Sequence, residues 1–335
     1  MDFKNIAKTE LHRHLELSIR QSTIKELAPL HGIELPNEKA FSDRFLITEP
    51  MADLGSVLNK FLDTQLLLST EEILERVAYE ACEDAYNEGI RILELRYAPT
   101  FVIREHDNLT FDSIHAAFVK GVEKAEKDFP MAVGLMAIIQ RILPVADAES
   151  VTDFAINHKD TFIGLDLADN EVGFDSKPFA SFFQRAKKAG LGISVHSGEA
   201  DVPKAPEYVK DAIEFLGATR IGHGLQVYKS EEMMTYIKDN NITLELCPTS
   251  NLLTNAVKNI EDHPFKKLYD FGIRTTINTD DPGIFNLTLD GEYKLIKDLF
   301  DFTESDFSKC NDFAAHASFI AHDKKQKVWP RDILK

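Results

Sequence analysis

Positive charge is scarce in this chain. Against 55 aspartates and glutamates it sets 38 lysines and arginines, leaving a formal net charge of -17 over 335 residues. Such a surface repels both nucleic-acid phosphates and an anionic membrane face, so neither is expected as a partner. Cysteine is scarcer still. Cys82, Cys247 and Cys310 are an odd, widely spaced set with no Cys-x-x-Cys, which argues against a disulfide framework. Cys82 shares a helical face with Ile73, Val77 and Ala81 and reads as a core thiol. No apolar run reaches the length of a membrane span, and Met1-Asp2-Phe3-Lys4-Asn5 lacks the apolar core of a signal peptide, so a cytoplasmic location is expected. Also missing is a glycine-rich loop after a strand, the mark of a doubly wound nucleotide fold.

What is present is a repeating alternation. Short β-branched runs predict strands over Thr9–Leu15, Arg91–Pro99, Ala132–Gln140, Phe162–Ala168, Gly192–Ser197, Arg220–Leu225, Ile242–Leu246 and Arg274–Asp280. Amphipathic helical patterns fill the gaps, among them Glu71–Glu88, Phe111–Asp128, Lys177–Ala189, Pro206–Leu216, Ser230–Asn240, His263–Phe271, Leu287–Phe300 and Ser305–Ala321. Thr70 is the expected N-cap of the first of these and Gly89 its stop, whereas the last begins at Ser305 with a cap that lacks an acidic partner three residues on. Eight strands separated by helices predict an α/β protein, a (β/α)₈ TIM barrel, forming one domain over residues 1–335. About 75 residues separate the first two strands, far more than a crossover needs. This helical insertion should sit over the barrel mouth, with Leu58, Phe61 and Leu62 as candidates for an apolar wall or lid.

Polar residues gather where those strands end. His12 and His14 are two positions apart and, on a strand, point to one face at metal-ligand spacing. The fifth strand closes on His196-Ser197-Gly198-Glu199, the sixth carries His223, and the eighth ends in Asp280-Asp281-Pro282. Singly, each has a plainer reading. A lone histidine is more often a hydrogen-bonded core residue, and Asp before Pro more often a turn. Together they fall at the strand C-termini of one barrel, where such folds display chemistry. Imidazoles with one carboxylate suit zinc or another divalent transition metal, and His12, His14, His196 and Asp280 would leave a position for water.

The motifs Leu11-His12-Arg13-His14-Leu15, Asp166-Leu167-Ala168, His196-Ser197-Gly198-Glu199, Ile221-Gly222-His223-Gly224, Cys247-Pro248-Thr249-Ser250-Asn251 and Asn278-Thr279-Asp280-Asp281-Pro282 resemble those of the adenosine deaminase family of metal-dependent amidohydrolase barrels, over nearly the whole chain. That resemblance implies one zinc per chain held by His12, His14, His196 and Asp280. It implies Glu199 as the acid for purine N1, His223 and Asp280 as aids to the attacking water, and Asp281 as the contact to N7. The implied substrate is a small purine nucleoside, adenosine or 2′-deoxyadenosine, deaminated by hydrolysis. Purine C6 is a poor electrophile, so N1 must be protonated; Glu199 can hold that proton at neutral pH only if a dry pocket or the substrate raises its pKa. The other zinc-deaminase design, with His-x-Glu and Pro-Cys-x-x-Cys, is absent.

The chain departs from the family pattern on the sugar side. Glu16-Leu17 stand where Asp-Gly is usual, and Asp169 follows Asp166-Leu167-Ala168 in place of glycine. Glu16 is thus the expected ribose-hydroxyl contact, and the Asp169 backbone N–H the expected contact to N3. Alternatives are a related aminopurine (free adenine, an adenine nucleotide or aminodeoxyfutalosine) and a non-catalytic purine-binding protein. A nucleotide would call for a cation at the mouth, for which Arg13, Arg96, Arg141 and Lys204 are the candidates.

Overall fold

Runs that are apolar on both faces become strands covered on both sides, as a parallel sheet requires. The computed structural model describes residue 3 and residues 6–51 and 61–332. Its strands are β1 (Lys8–His14), β2 (Ile90–Tyr97), β3 (Ala132–Gln140), β4 (Phe162–Ala168), β5 (Gly192–Ser197), β6 (Arg220–His223), β7 (Thr243–Leu246) and β8 (Arg274–Ile277). They lie in sequence order, each parallel to the next. Between β8 and β1 the circle closes through a bridge from Arg13 to Asp280, where Asp280 N donates to His12 O at 3.0 Å and His14 N to Asp280 O at 2.9 Å. The predicted (β/α)₈ barrel is the observed architecture, and its seam runs through the metal-ligand candidates.

Four strands stop short of their predicted ends, β1 at His14 and β2 at Tyr97 by one and two residues, and β6 and β8 at the polar rim. β6 ends at His223 and β8 at Ile277 because His223 (φ 58°), Gly224 (φ 68°) and Asp280 (φ 66°) take left-handed backbone, which no strand accommodates. The chain therefore turns at these polar residues and presents them at the rim. Helix Glu71–Asn87 is capped as expected, the Thr70 hydroxyl accepting from Ile73 N at 3.3 Å. The late helix differs: it spans Glu304–Ala317, and its cap is Thr303, whose backbone N donates to Asp306 Oδ2 at 2.9 Å. Thr303 and Asp306 thus form a full capping box with an acidic partner, two residues before the predicted cap at Ser305.

Helices Gln21–Leu27, Glu38–Phe45 and Leu62–Gln65 occupy the long β1–β2 connection. Of the lid candidates, Leu58 lies outside the described residues, while Phe61 and Leu62 line the cavity at the barrel mouth. Phe61 packs with Leu17, Ile47, Leu253, Ile284 and Phe285 in an apolar cluster on that side of the barrel. Leu17 thereby puts buried apolar area where glycine would put none. Among the described residues no helix is long and apolar enough to cross a membrane.

Candidate metal centre and active site

Two of the rim histidines are aimed by a carboxylate behind them. Glu245 on β7 meets His12 Nδ1 at 2.8 Å, and Asp166 on β4 meets His196 Nδ1 at 2.9 Å. One buried guanidinium joins the two carboxylates, with Arg96 Nη1 donating to Asp166 Oδ2 at 2.9 Å and Nη2 to Glu245 Oε2 at 2.8 Å. Arg220 Nε adds a contact to Glu245 Oε1 at 2.7 Å. Burial opposes charge on Glu245, but Arg96, Arg220 and His12 overcome it and hold its pKa below the usual carboxylate range. Asp166 is held low in the same way against burial, by His196 and Arg96. Ionised carboxylates take the Nδ1 protons, so the ring lone pairs of His12 and His196 are left on Nε2.

Those lone pairs converge on a further carboxylate. Asp280 Oδ1 lies 3.3 Å from His12 Nε2 and 3.2 Å from His14 Nε2, and His14 Nε2 is 3.3 Å from His196 Nε2. His12 Nε2 is buried without a hydrogen-bond donor. Acceptors do not assemble face to face without positive charge among them, so this donor set fits a cation. His14 marks the same demand: burial disfavours its charge, yet Asp281, Asp280 and Glu16 raise its pKa to about 9. Burial lowers that of His196 to about 4, against Asp166, leaving a neutral ligand ring. Gly222 makes room, since a Cβ there would stand 2.9 Å from His12 Cε1. Of the four predicted ligands, His12, His196 and Asp280 share one cluster, and His14 stands in a second with Asp280 and Asp281.

The proton on His223 is placed by a relay that starts at the backbone. Phe265 N–H, which can only donate, reaches His263 Nδ1 at 3.1 Å. Burial lowers the His263 pKa to about 3, so this neutral ring carries its proton on Nε2, 3.1 Å from Asn251 Oδ1. The Asn251 amide must then turn Nδ2 to His223 Nδ1, at 3.0 Å. His223, also held neutral by burial, carries its proton on Nε2, which lies 3.8 Å from Asp280 Oδ2 and 3.7 Å from Glu199 Oε2. A proton at Nε2 makes His223 a donor into the site and not a metal ligand, although it stands in the same cluster as His12, His196 and Asp280.

These groups floor a cavity of about 230 Å³ lined by His14, Glu199, His223, Asp280 and Asp281, with Phe61, Leu62, Phe101 and Ile138 as apolar wall. Glu199 is raised to about 8 by burial and by Asp280, against one hydrogen bond from Thr254 Oγ1 at 2.9 Å. Burial and the neighbouring Asp280 raise Asp281 well above the carboxylate range, and its Oδ1 is buried without a partner. On the other wall, Glu16 Oε1 accepts from Ala98 N at 2.9 Å while Oε2 is unpaired. Asp169 takes the left-handed backbone (φ 84°) that suits the glycine usual there, and its Oδ2 accepts from Gln140 Nε2 at 3.1 Å.

Sequence reading gave several of these residues no such role. Glu245 and Arg220, like Arg96, announce themselves only as charges inside buried strands; Asn251 enters only within a motif, and His263 carries no signal of its own. The cation candidates for the mouth were misplaced: Arg13, Arg96 and Arg141 are buried and, like Lys204, do not line the cavity, whereas Arg104 does.

A profile described as adenosine deaminase matches residues 7–331. The chain is 34% identical over 330 residues to the adenosine deaminase of Plasmodium knowlesi, covering 97% of this chain and 90% of that protein. Among solved structures it is similar to an amidohydrolase from Burkholderia ambifaria with bound zinc (TM-score 0.87, 25% identity, 97% of this chain and 88% of that one). It is also similar to an adenine deaminase from Arthrobacter aurescens (0.85, 26%, 96% of each chain). A third likeness is to the N6-methyl-AMP deaminase of Arabidopsis thaliana (0.82, 27%, 97% of this chain and 96% of that one).

Proposed function

The chain belongs to the adenosine deaminase family, and from that premise we propose that this hydrolytic deaminase acts on a 6-aminopurine nucleoside, adenosine or 2′-deoxyadenosine, giving the 6-oxo purine and ammonia. The observation that carries the reading is the pairing of a cation-demanding cluster with a carboxyl, Glu199, that keeps its proton at neutral pH beside it. His12, His14, His196 and Asp280 would hold one divalent ion, zinc by the character of the donors, and such an ion lowers the pKa of water to about 7, so that hydroxide is available at neutral pH.

The chain's own residues do the rest. Glu199 gives its proton to N1, which draws electron density from C6 and opens it to attack. His223 offers its Nε2 proton as a hydrogen bond to the attacking oxygen and stabilises the charge that gathers there. Asp280, whose Oδ2 accepts from Ser250 Oγ at 2.6 Å, takes the proton that water loses and returns it to the departing amine. The C6–N bond breaks as the C6–O double bond forms, N1 keeps its proton, and the remaining O–H proton restores Glu199. Asp281, whose pKa burial and Asp280 raise, would donate to N7 when it holds its proton, a contact that requires an acceptor at that ring position. Glu16 Oε2, free and buried, and the Asp169 carboxylate accept sugar hydroxyls, and the Asp169 N–H serves N3. The three cysteines are buried and free, which suits a reducing cytoplasm.

One observation favours a second substrate. Arg104 lines the cavity, exposed and without an ion-pair partner among the described residues, and could meet a 5′ phosphate. Glu16, Asp169 and Asp280 in the same cavity oppose an anion, and for that reason the nucleoside is preferred. An absorbance screen of adenine, adenosine, deoxyadenosine, adenosine monophosphate and 5′-modified nucleosides, with metal analysis and chelation, tests both. The expected result is about one metal per chain, loss of turnover on chelation, and the nucleosides ahead. Turnover of none of the set would defeat the reading.

A further inference from the structure

Among the buried acids to which the mechanism gives no task, one lies beside the segment that carries Glu199. Glu171 sits in the loop after β4, across from the segment that carries Glu199. Its Oε2 accepts from Gly198 N at 2.8 Å, and its Oε1 from Glu199 N at 2.9 Å and Ala200 N at 2.7 Å. Three consecutive amides point to one side only because Gly198 takes left-handed backbone (φ 69°), where a Cβ would also stand 2.5 Å from Val209 Cγ2. From the opposite side, Gln226 N donates to Gly198 O at 3.0 Å and Gln226 Nε2 to Glu199 O at 3.2 Å. Just upstream, Arg141 donates to the His196 carbonyl. The Glu199 backbone is therefore gripped from both faces, while its carboxyl has one hydroxyl partner, Thr254. Where that carboxyl points is decided mainly by the backbone it hangs from.

We propose that Glu171 is a positioning residue for Glu199: by gathering the amides of residues 198–200 it sets the height and direction from which the Glu199 carboxyl meets purine N1. A simple turn cap would need one amide, and here three are satisfied by a carboxylate buried beside the site, where such bonds are strong. Burial raises the Glu171 pKa, and the three amides together with Arg141 work against that rise. The inference rests on Glu199 being the acid for N1.

Glu171→Gln tests it, because one amide oxygen cannot serve three N–H groups and the new NH₂ faces donors. Turnover, KM and metal content are measured beside inhibition by the 1-deaza analogue of the preferred nucleoside, in which carbon replaces N1. Misplacing an acid by up to about 1 Å costs on the order of 100-fold, so kcat should fall by about 10- to 100-fold. Inhibition by the 1-deaza analogue should stay within about twofold and metal content should not change, because neither uses the Glu199 proton. A wild-type kcat overturns the proposal, as does parallel weakening of turnover and 1-deaza binding, the mark of a merely structural role. Glu199→Gln runs alongside: if it turns over normally the acid assignment fails, and if it is inactive while Glu171→Gln is normal only the present inference fails. Should Glu171→Gln not fold, Glu171→Asp takes its place with the same readouts. Should neither fold, amide exchange of wild-type residues 198–200 decides. Protection matching the interior of β5 supports the clamp, and exchange at the rate of exposed loops overturns it.

Discussion

Removing the proton of Glu199 should switch the enzyme off, and the structure says at what pH. An ordinary glutamate with a pKa of 4.5 would be protonated in about 0.3% of molecules at pH 7. Raised to about 8, first by burial and then by Asp280, Glu199 is protonated in about nine molecules in ten, a gain of about 300-fold in the competent form. The group works as an acid, so activity is present below its pKa and lost as pH rises through it. The logarithm of kcat/KM, which reports the free enzyme, should therefore bend downward near pH 8 and fall about tenfold by pH 9. Glu199→Gln keeps the shape and the hydrogen bond from Thr254 but has no proton to transfer. Its kcat should drop by about 100- to 10,000-fold, the usual worth of general acid catalysis, with metal retained.

Thr254→Val supplies the sign test. The Thr254 hydroxyl donates to Glu199 Oε1 at 2.9 Å and favours the charged form. Without it the Glu199 pKa rises, and the alkaline bend should move to higher pH. The reasoning is refuted if the bend in wild type lies near pH 5, if Thr254→Val moves it downward, or if Glu199→Gln with its metal turns over at more than a tenth of the wild-type rate.

Three other outcomes are expected. Asn251→Ala breaks the relay from the Phe265 amide, so ¹⁵N shifts should show His223 losing its fixed Nε2–H form while kcat falls by about 100-fold, the cost of one donor to a developing oxyanion; an unchanged tautomer with normal kcat would remove the relay from the mechanism. Gly222→Ala drives a methyl toward His12 Cε1, 2.9 Å away, and metal titration should read an affinity lower by about 10- to 100-fold. Glu292, buried and bonded by Thr249 N at 3.2 Å, has its pKa raised to about 7 by burial. Below pH 4.5 both folded and unfolded chains hold this proton; between pH 4.5 and 7 only the folded chain does, so stability is lost as pH rises and the penalty is complete above 7. Glu292→Gln should relieve about 3 kcal/mol of it, order of magnitude, in urea melts at pH 8 and almost none at pH 4.5.

The rim was readable because a closed parallel barrel leaves little freedom: a polar residue ending an apolar strand has nowhere to go but the C-terminal mouth. His12, His14, His196, His223 and Asp280 all arrive there, from β1, β5, β6 and the segment after β8. What stood behind them was not readable in detail. Glu94, Arg96, Asp166, Arg220 and Glu245 are charges within buried strands, which demands partners, but which charge meets which depends on the turn of one strand against another around the circle. Arg96 thus reaches across to both Asp166 and Glu245 from residues 70 and 149 positions away. Loops carried even less information. Glu171 looks like any acid in a polar turn until Gly198 folds three amides toward it.

The departures on the sugar side gain their meaning from backbone angle and packing. Asp169 holds φ 84° without glycine's freedom, and aspartate is among the few side chains that tolerate it. Its Oδ1 accepts the next amide, Asn170 N, at 2.9 Å, while Oδ2 is held by Gln140, which in turn accepts from Thr100 Oγ1 at 2.8 Å. A carboxylate fixed from three strand ends at the cavity wall is an acceptor with a set direction. Reverting Asp169 to glycine removes that acceptor and frees the backbone but leaves the metal cluster untouched. The expected result is a KM for the nucleoside raised by about 10- to 150-fold, the worth of one hydrogen bond to a charged group, with kcat nearly preserved. An effect of the opposite kind, kcat lost at constant KM, would place Asp169 with the chemistry and away from the sugar.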